Sequence, residues 1–427
     1  MLDIRYLRAE PEAAKAALAR RGEDASVIDA LLLIDSKRRI GQTEQENLKA
    51  EQNRLGPQIA QAKKSGGDAA GLLARSSELK AAFQDHEETV RVLDERQLQI
   101  IGKLPNLPHR SVHAGGADDG IVLHAINKEP RRFDFEPKPH WDLATNLDLI
   151  DFERGTKLAG SGFLLYTGMG ARIERALVQF MLDLHTEKHG YTELGLPYAL
   201  SRESMTASGH LVKFAPEMYR DEESDLFFLP TAEPALVNVH RGEILEAGMV
   251  PLKYVAHTPC WRREAGAAGR DTRGLLRVHQ FDKVELFRFA LPETSFDALD
   301  QLTREACAVL DALDLPYRIL KLAGGDISFA SAMTYDIETW APGVGKWLEV
   351  SSASNCTDFQ ARRANIRFRR EPGAKTEFPH LLNASGLALP RVLATLLETH
   401  QNADGTVNVP DALRPYLGGR SLLGNRP

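Results

Sequence analysis

The sequence predicts an α+β protein in two parts: a pair of long helices folded back on one another, then an antiparallel sheet flanked by helices. Three observations predict it. Apolar residues recur every seven positions through much of residues 26–103. Beyond residue 126, strand-like stretches follow one another as neighbouring hairpins, which argues against a parallel sheet with crossover helices. No Gly-x-x-x-x-Gly-Lys-[Ser/Thr] loop is present, so any triphosphate would be held by side chains.

Composition sets the outer limits. A chain of 427 residues has room for two or three domains and a large core. The net charge of −6 gives no overall basic field, so a nucleic-acid partner would meet local patches. Cys260, Cys307 and Cys356 are far apart and form no Cys-x-x-Cys pair. That argues against a disulfide framework or a cysteine zinc knuckle and for a reducing, cytoplasmic setting. The first residues, Met1-Leu2-Asp3-Ile4-Arg5, lack the apolar core of a signal, and no apolar run approaches membrane-spanning length. No membrane partner is expected.

In chain order, residues 1–104 form the helical part. Leu72, Leu79, His86, Leu93 and Ile100 make one heptad row, with Phe83 and Val90 on the offset row. Ile34, Leu48, Leu55 and Ala62 keep the same period upstream, with Ile59 on an offset row that also holds Arg38, Gln45 and Gln52. Ser65-Gly66-Gly67-Asp68 separates the two runs as a helix-breaking turn. The expectation is an antiparallel coiled-coil hairpin whose first helix, at 1.5 Å per residue, is roughly 57 Å long. Gly56-Pro57 predicts a kink or local break in it. Acidic and basic residues nearly balance along the hairpin, so charge alone separates neither a nucleic-acid arm from a dimerisation coiled coil nor either from a scaffold.

Residues 105–125 read as a linker, with prolines, glycines and histidines crowded into 105–119. Residues 126–427 read as a globular α+β domain. An amphipathic helix over 168–190 carries Ile173, Leu177, Phe180, Met181 and Leu184, and a strand over 191–197 follows. Further strands are expected over 225–229, 252–261, 275–290 and 347–352.

The chemistry concentrates in two of these strands. Cys260-Trp261-Arg262-Arg263-Glu264-Ala265-Gly266 leads into a Gly- and Arg-rich loop, 267–274, read as a mobile hairpin connection. The chain returns as Arg277-Val278-His279-Gln280-Phe281-Asp282-Lys283-Val284-Glu285. Residues two apart on a strand share a face, so Arg262 and Glu264 project together, with Trp261 and Arg263 opposite. His279, Phe281, Lys283 and Glu285 share a face by the same rule. An arginine fork grips phosphate in bidentate fashion and an aromatic ring offers a base a stacking surface. A surface hairpin with ordinary cross-strand ion pairs fits the spacing equally well.

With these residues in view, the chain resembles the bacterial-type seryl-tRNA synthetases, a family of class II aminoacyl-tRNA synthetases, from end to end. The resemblance rests on the helical hairpin, Thr231-Ala232-Glu233, the arginine hairpin, and Glu349-Val350-Ser351-Ser352-Ala353-Ser354-Asn355-Cys356. It continues in Asn383-Ala384-Ser385-Gly386-Leu387-Ala388-Leu389-Pro390-Arg391 and the closing Leu413-Arg414-Pro415-Tyr416-Leu417-Gly418-Gly419. It implies a class II antiparallel fold and a serine–tRNA ligase that activates L-serine with ATP and esterifies the 3′ end of serine tRNA. It leaves open whether selenocysteine tRNA is also a substrate.

The resemblance further implies site roles. Arg262 would contact the α-phosphate and the serine carboxylate, and Arg391 the γ-phosphate end. Phe281 would stack on adenine beneath Arg391, and Glu264 would accept from the adenine amino group. Arg263, the backbone around Val278, His279 and Gln280, and the run Glu349, Val350, Ser351 and Ser352 complete the expected ATP contacts. Glu349 is expected among the catalytic residues, and with Ser352 as a ligand of Mg2+, which prefers hard oxygens and shares its shell with phosphates. Thr231, Ala232, Glu233, Glu285 and Ser385 would bind serine, since a site that pairs the hydroxyl rejects analogues lacking it. Thr231-Ala232-Glu233 is also what a helix N-terminus looks like, and both readings can hold. Glu349 and Ser352 are three apart, so a regular strand would face them oppositely, and a strand end or bulge is expected at Ser351 or Ser352. A buried Glu and Ser satisfying the sheet edge is the plain alternative.

A divergent archaeal form of the family binds serine through zinc, but nothing in the cysteine positions supports that here, and no zinc is expected. The family's arm grips tRNA largely by shape and phosphate contacts, which suits a charge-mixed hairpin. The family is a homodimer, with the dimer helix and strand expected near residues 173–197. The sequence departs from the family at Trp261, Arg263, Ala384 and Pro390; proline is tolerated in a first helical turn. A carrier-protein-charging relative would lack the long arm, and an inactive paralogue would have lost Arg262, Glu285 or Arg391.

Overall fold

The computed structural model describes residues 1–124, 126–265 and 272–424. The chain divides into two compact units, Met1–Ala19 with Glu23–Pro105, and Arg20–Gly22 with Asn106–Pro427.

The first unit is dominated by α1 (Val27–Lys64) and α2 (Ala70–Ile101). The heptad rows face inward: Ile34, Leu79 and Val90 are buried, and Leu48, Leu55, Leu72, Phe83 and Leu93 half-buried. The helices are antiparallel, because Arg38 near the start of α1 pairs with Asp94 near the end of α2 at 3.2 Å. Arg75 likewise reaches back to Glu51 at 2.9 Å. The turn closes as the breaker residues predict. The Gly67 N–H donates to the Ala62 carbonyl at 3.0 Å, and Gly66 takes a positive φ of 73°. The Asp68 carboxylate then accepts from the Ala70 N–H at 2.8 Å and opens α2. Of the kink or local break expected at Gly56-Pro57, the break does not occur, since α1 runs through Pro57. Both residues are exposed, where solvent can reach the carbonyl that proline leaves unpaired.

The second unit is built on an eight-stranded sheet. Its strands are β1 (Ile121–His124), β2 (Thr192–Glu193), β3 (Leu252–Trp261), β4 (Gln280–Ala290), β5 (Tyr317–Lys321), β6 (Met333–Ala341), β7 (Lys346–Asn355) and β8 (His380–Ala388). In space they run β1-β5-β6-β7-β8-β4-β3-β2. Every neighbouring pair is antiparallel except β2 and β3. Three helices, α3 (Met169–Glu187), α4 (Ser295–Ala312) and α5 (Leu389–His400), share one large apolar core with one face of the sheet. Ile173, Ala176, Leu177, Phe180 and Met181 on α3 supply its stripe at the expected helical spacing. Along β4, Val284 and Leu286 enter that core while Phe287 and Phe289 join a second cluster. The period-2 alternation thus feeds two cores, and Lys283 and Glu285 share the face of Phe287 and Phe289.

Several boundaries differ from the sequence reading. The expected linker is part of the second unit: Asn106 is buried, its side-chain amide donating to the Ala330 and Cys356 carbonyls at 2.9 and 2.8 Å. Its far end is β1, paired with β5. The strand expected over 275–290 begins only at Gln280, because the preceding N–H groups bond elsewhere, Leu275 to His140 and His279 to the Gly162 carbonyl. Leu226–Phe228 joins a separate three-stranded sheet. Within 191–197 only Thr192 and Glu193 form strand.

Gly41 of α1 sits where a Cβ would lie 2.8 Å from a methyl of Val90 on α2. Gly41→Leu should overpack this crossing and lower stability by about 1–3 kcal/mol. Hydrogen exchange of the α2 amides should report the loss; unchanged protection would count against it.

Candidate active site

Two β-bulges shape the centre of the sheet. Between β6 and β7, Ile337 faces Ser351 and Glu338 faces Glu349, which leaves Val350 as the extra residue. Between β8 and β4, Ser385 faces Glu285 and Leu387 faces Val284, which leaves Gly386 extra. The break in step is therefore real but falls at Val350, one residue before the expected Ser351 or Ser352, and β7 continues to Asn355. The bulge removes the parity conflict, and Glu349 and Ser352 line one cavity.

That cavity holds about 460 Å³, and a second of about 210 Å³ adjoins it. Both are lined by Arg262, Glu264, Arg277, Lys283, Glu349 and Ser385. The larger also takes in Thr231, Glu233, Glu285 and Ser352, and the smaller Val278, Phe281, Val350, Ser351 and Arg391. The chain thus brings together segments from across nearly 200 residues.

Inside the larger cavity the charges are locked. Lys283 and Glu285, both buried, form an ion pair across one strand position. The Lys283 ammonium donates to the Thr231 hydroxyl at 2.6 Å, and Thr231 donates to Glu285 at 3.2 Å. Burial raises the Glu285 carboxyl above its ordinary value, against the pull of Lys283. Glu233 behaves oppositely. Burial would raise it, but His210 at 3.5 Å, the Gln360 amide at 2.6 Å and Lys283 together hold it low.

Toward the smaller cavity the charged groups are more open. The Arg262 Nε donates to the Pro230 carbonyl at 3.1 Å, and its guanidinium lies 5.3 Å from the centre of the Phe281 ring. Arg391, near the start of α5, donates to the Glu349 carbonyl at 2.7 Å and to the Leu276 carbonyl at 3.3 Å, and lies 3.4 Å from the Glu349 carboxylate. Glu264 takes a positive φ of 49° and pairs with Arg277. Phe281 therefore lies against Arg262, and it lines the same cavity as Arg391.

Four expected residues stand outside the cavity walls. Arg263 turns its side chain to solvent while its N–H donates to the Glu217 carbonyl at 2.8 Å. The His279 ring bonds the Tyr219 hydroxyl at 2.8 Å and stacks on Phe163. Gln280 is exposed opposite Trp261, and Ala232 is buried in the second apolar cluster. Strand alternation accounts for Arg263, Ala232 stands at the start of a short helix, and the expectation for His279 and Gln280 concerned their backbone rather than their side chains. Of the loop 267–274, residues 267–271 lie outside the described residues. Conversely, Lys283, Arg277, His210, Gln360 and Asn383 line or brace the site without a role in the sequence reading. For Lys283 the signal was present, since it shares the face of Glu285. The others are brought in by folding alone.

The comparisons with known proteins fall on this framework. Residues 1–108 match the seryl-tRNA synthetase N-terminal domain family, and residues 213–400 the class II tRNA synthetase core domain family (G, H, P, S and T). A serine–tRNA ligase of Roseiflexus sp. is 49% identical over 426 residues, covering 99% of each chain. The chain belongs to the seryl-tRNA synthetase family. A second relative, the serine–tRNA ligase of Dehalococcoides mccartyi, is 49% identical over 418 residues, covering 98% of this chain and 99% of its own. The solved seryl-tRNA synthetase of Pyrococcus horikoshii, complexed with ATP, superposes over all of both chains with a TM-score of 0.95 at 36% identity. That of Naegleria fowleri, in complex with AMP, gives 0.89 at 27% identity, covering 100% of this chain and 99% of its own. The class II fold expected from the sequence is the fold of this family.

Asp336 of β6 sits opposite Ser352 and is pushed up to about 8, by burial first and then by the charge of Glu349. Its folded value lies above the ordinary 3.8, so the stability it contributes is full at low pH and is lost as pH rises toward about 8. Asp336→Asn should therefore gain stability relative to the unsubstituted protein between about pH 5 and pH 8. Paired thermal melts across that range check this; a constant difference would refute the assignment.

Proposed function

We propose that this chain is a serine–tRNA ligase: it activates L-serine with ATP to seryl-adenylate and transfers the seryl group to the 3′ end of serine tRNA. The observation that carries the reading is the convergence of Arg262 and Arg391, 129 positions apart in the sequence, on one cleft beside a buried Thr231–Lys283–Glu285 network. That convergence occurs in a chain half identical to enzymes called serine–tRNA ligases.

In the first step a serine carboxylate oxygen attacks the α-phosphorus, and the bond to pyrophosphate breaks. Charge accumulates on the phosphoryl oxygens, and fixed guanidinium groups stabilise it best. Arg262 takes the α-phosphate with the serine carboxylate, and Arg391 the γ-phosphate end. Phe281 and Glu264 receive the adenine, with Val278, Val350 and Ser351 along the same wall. Glu285 and Ser385 pair with the serine hydroxyl, and Thr231 and Glu233 meet the ammonium and close the pocket. In the second step the terminal ribose hydroxyl of the tRNA attacks the acyl carbon, and AMP leaves.

Glu349 and Ser352 fit a site for Mg2+, since both offer hard oxygens to the same cavity. Among the described residues no group of three or more His, Cys, Asp and Glu stands ready to hold a metal, so such an ion would take the rest of its shell from phosphates and water. Bound there, it would neutralise phosphate charge.

The helical hairpin is the proposed tRNA-binding arm, and whether selenocysteine tRNA is also charged is a matter of what that arm accepts. A second copy of the chain is proposed at the β2 edge. Thr192 and Glu193 are exposed there and, among the described residues, pair with β3 alone, which leaves one side of the strand for another chain. No helix among the described residues is long and apolar enough to cross a membrane. With three buried free cysteines, the cytoplasm is the proposed location.

Serine-dependent ATP–pyrophosphate exchange tests the reading. Arg391→Ala should abolish exchange and Glu285→Ala reduce it at least about 100-fold. Equal exchange with alanine or glycine would refute the pocket. Deleting residues 27–103 should spare exchange but remove tRNA charging, and unchanged charging would reassign the arm.

A further inference from the structure

His140 and Glu398 are both fully buried and lie outside the residues assigned above. The His140 Nδ1 is 2.7 Å from one Glu398 carboxylate oxygen, which also accepts from the His140 backbone N–H at 2.9 Å. The other carboxylate oxygen accepts from the N–H groups of Gly343 and Val344, at 2.7 and 3.2 Å, in the turn between β6 and β7. A carboxylate can only accept here, so Nδ1 carries the ring proton and Nε2 presents its lone pair. That lone pair accepts the Leu275 N–H at 3.0 Å. Leu275 and the adjacent Leu276 line the cleft, and the Leu276 carbonyl is one of the acceptors holding Arg391.

We propose that His140, oriented by Glu398, is a positioning residue for the nucleotide: it fixes the backbone of Leu275 and Leu276 and through it the approach of Arg391 to ATP. The inference rests on the reading of the cleft as an ATP site. Glu398 lies two turns beyond Arg391 on α5, so a single helix carries both the arginine and the base of the relay that sets its backbone partner. The backbone meets the ring at close range. Gly274 has a positive φ of 66°, and a Cβ there would lie 2.5 Å from the His140 Nε2, so only glycine lets the chain pass against the ring. Arg273 caps the same place, its guanidinium 4.5 Å from the ring centre of Trp141, the residue after His140.

Two isosteric variants separate the roles of the two nitrogens. His140→Asn keeps a donor near the Nδ1 position and loses the acceptor for Leu275; His140→Gln keeps an acceptor near the Nε2 position. Pyrophosphate exchange should give His140→Asn a KM for ATP raised at least about ten-fold, with the KM for serine within about two-fold of the original. His140→Gln should restore most of the ATP value. Thermal melts of both variants identify any loss of fold, and the comparison of the two KM values stands on the folded fraction alone. Equal effects of both variants on ATP and serine, or an unchanged KM for ATP in His140→Asn, would overturn the proposal. Absence of serine-dependent exchange in the unsubstituted protein would instead overturn the reading on which it rests.

Discussion

The cleft depends on two places where neighbouring strands fall out of step. Side chains on a pleated strand alternate, so a regular β7 would send Glu349 and Ser352 to opposite faces of the sheet. The extra residue at Val350 puts both on one wall, and the extra Gly386 falls immediately after Ser385, which is in register opposite Glu285. Because β7 and β8 are neighbours, the two extra residues sit on adjacent strands, with the regular β7–β8 ladder between the two irregular ones.

Burial then decides how each charge behaves. Lys283 and Glu285 sit at a few per cent exposure, where an isolated charge would be costly, and each is the other's answer. Their pairing leaves the Thr231 hydroxyl bridging them and fixes where acceptors point inside the pocket. Glu233, held low by His210, Gln360 and Lys283, stays anionic in the same enclosure. Breaking the network by removing one member would expose the others to the full penalty of desolvation. It is a recognition surface whose geometry is set before any ligand arrives.

The fold was legible in the sequence where periodicity is strong. The heptads gave both long helices, the Ser65–Asp68 breakers gave their turn, and Leu252–Trp261 emerged as a strand to the residue. Legibility failed where tertiary hydrogen bonds overrule local pattern. Residues 105–125 look like a linker by composition, yet Asn106 is pinned by three partners from far along the chain. Residues 275–279 look like strand, but Leu275 and His279 give their N–H groups to His140 and Gly162. Pro57 predicts a break, but an exposed mid-helix proline has solvent to take the freed carbonyl. In the site, strand parity foresaw that Glu349 and Ser352 needed an irregularity, but only pairing register puts it at Val350. His210 and Gln360 carry no sequence signal at all, because their role exists only once Glu233 is folded beside them.

The two ends of the cleft differ in how replaceable their internal bonds are. Lys283 and Glu285 have side chains 6% and 2% exposed, while Arg391 and Glu349 stand at 29% and 47%. A partly exposed ion pair is worth about 0–1 kcal/mol, so an arriving phosphate displaces it at little cost. Arg262 is held by one neutral carbonyl and the face of Phe281, which a stacked base and a phosphate can both replace. Glu264 is engaged by Arg277, whose side chain keeps access to solvent. The arginines therefore stand in provisional contacts that a ligand of opposite charge improves upon, against a floor whose own contacts it cannot. On the proposed reading, selectivity for the small polar substrate belongs to the buried, mutually paired floor, and charge stabilisation to the part whose present partners are weak.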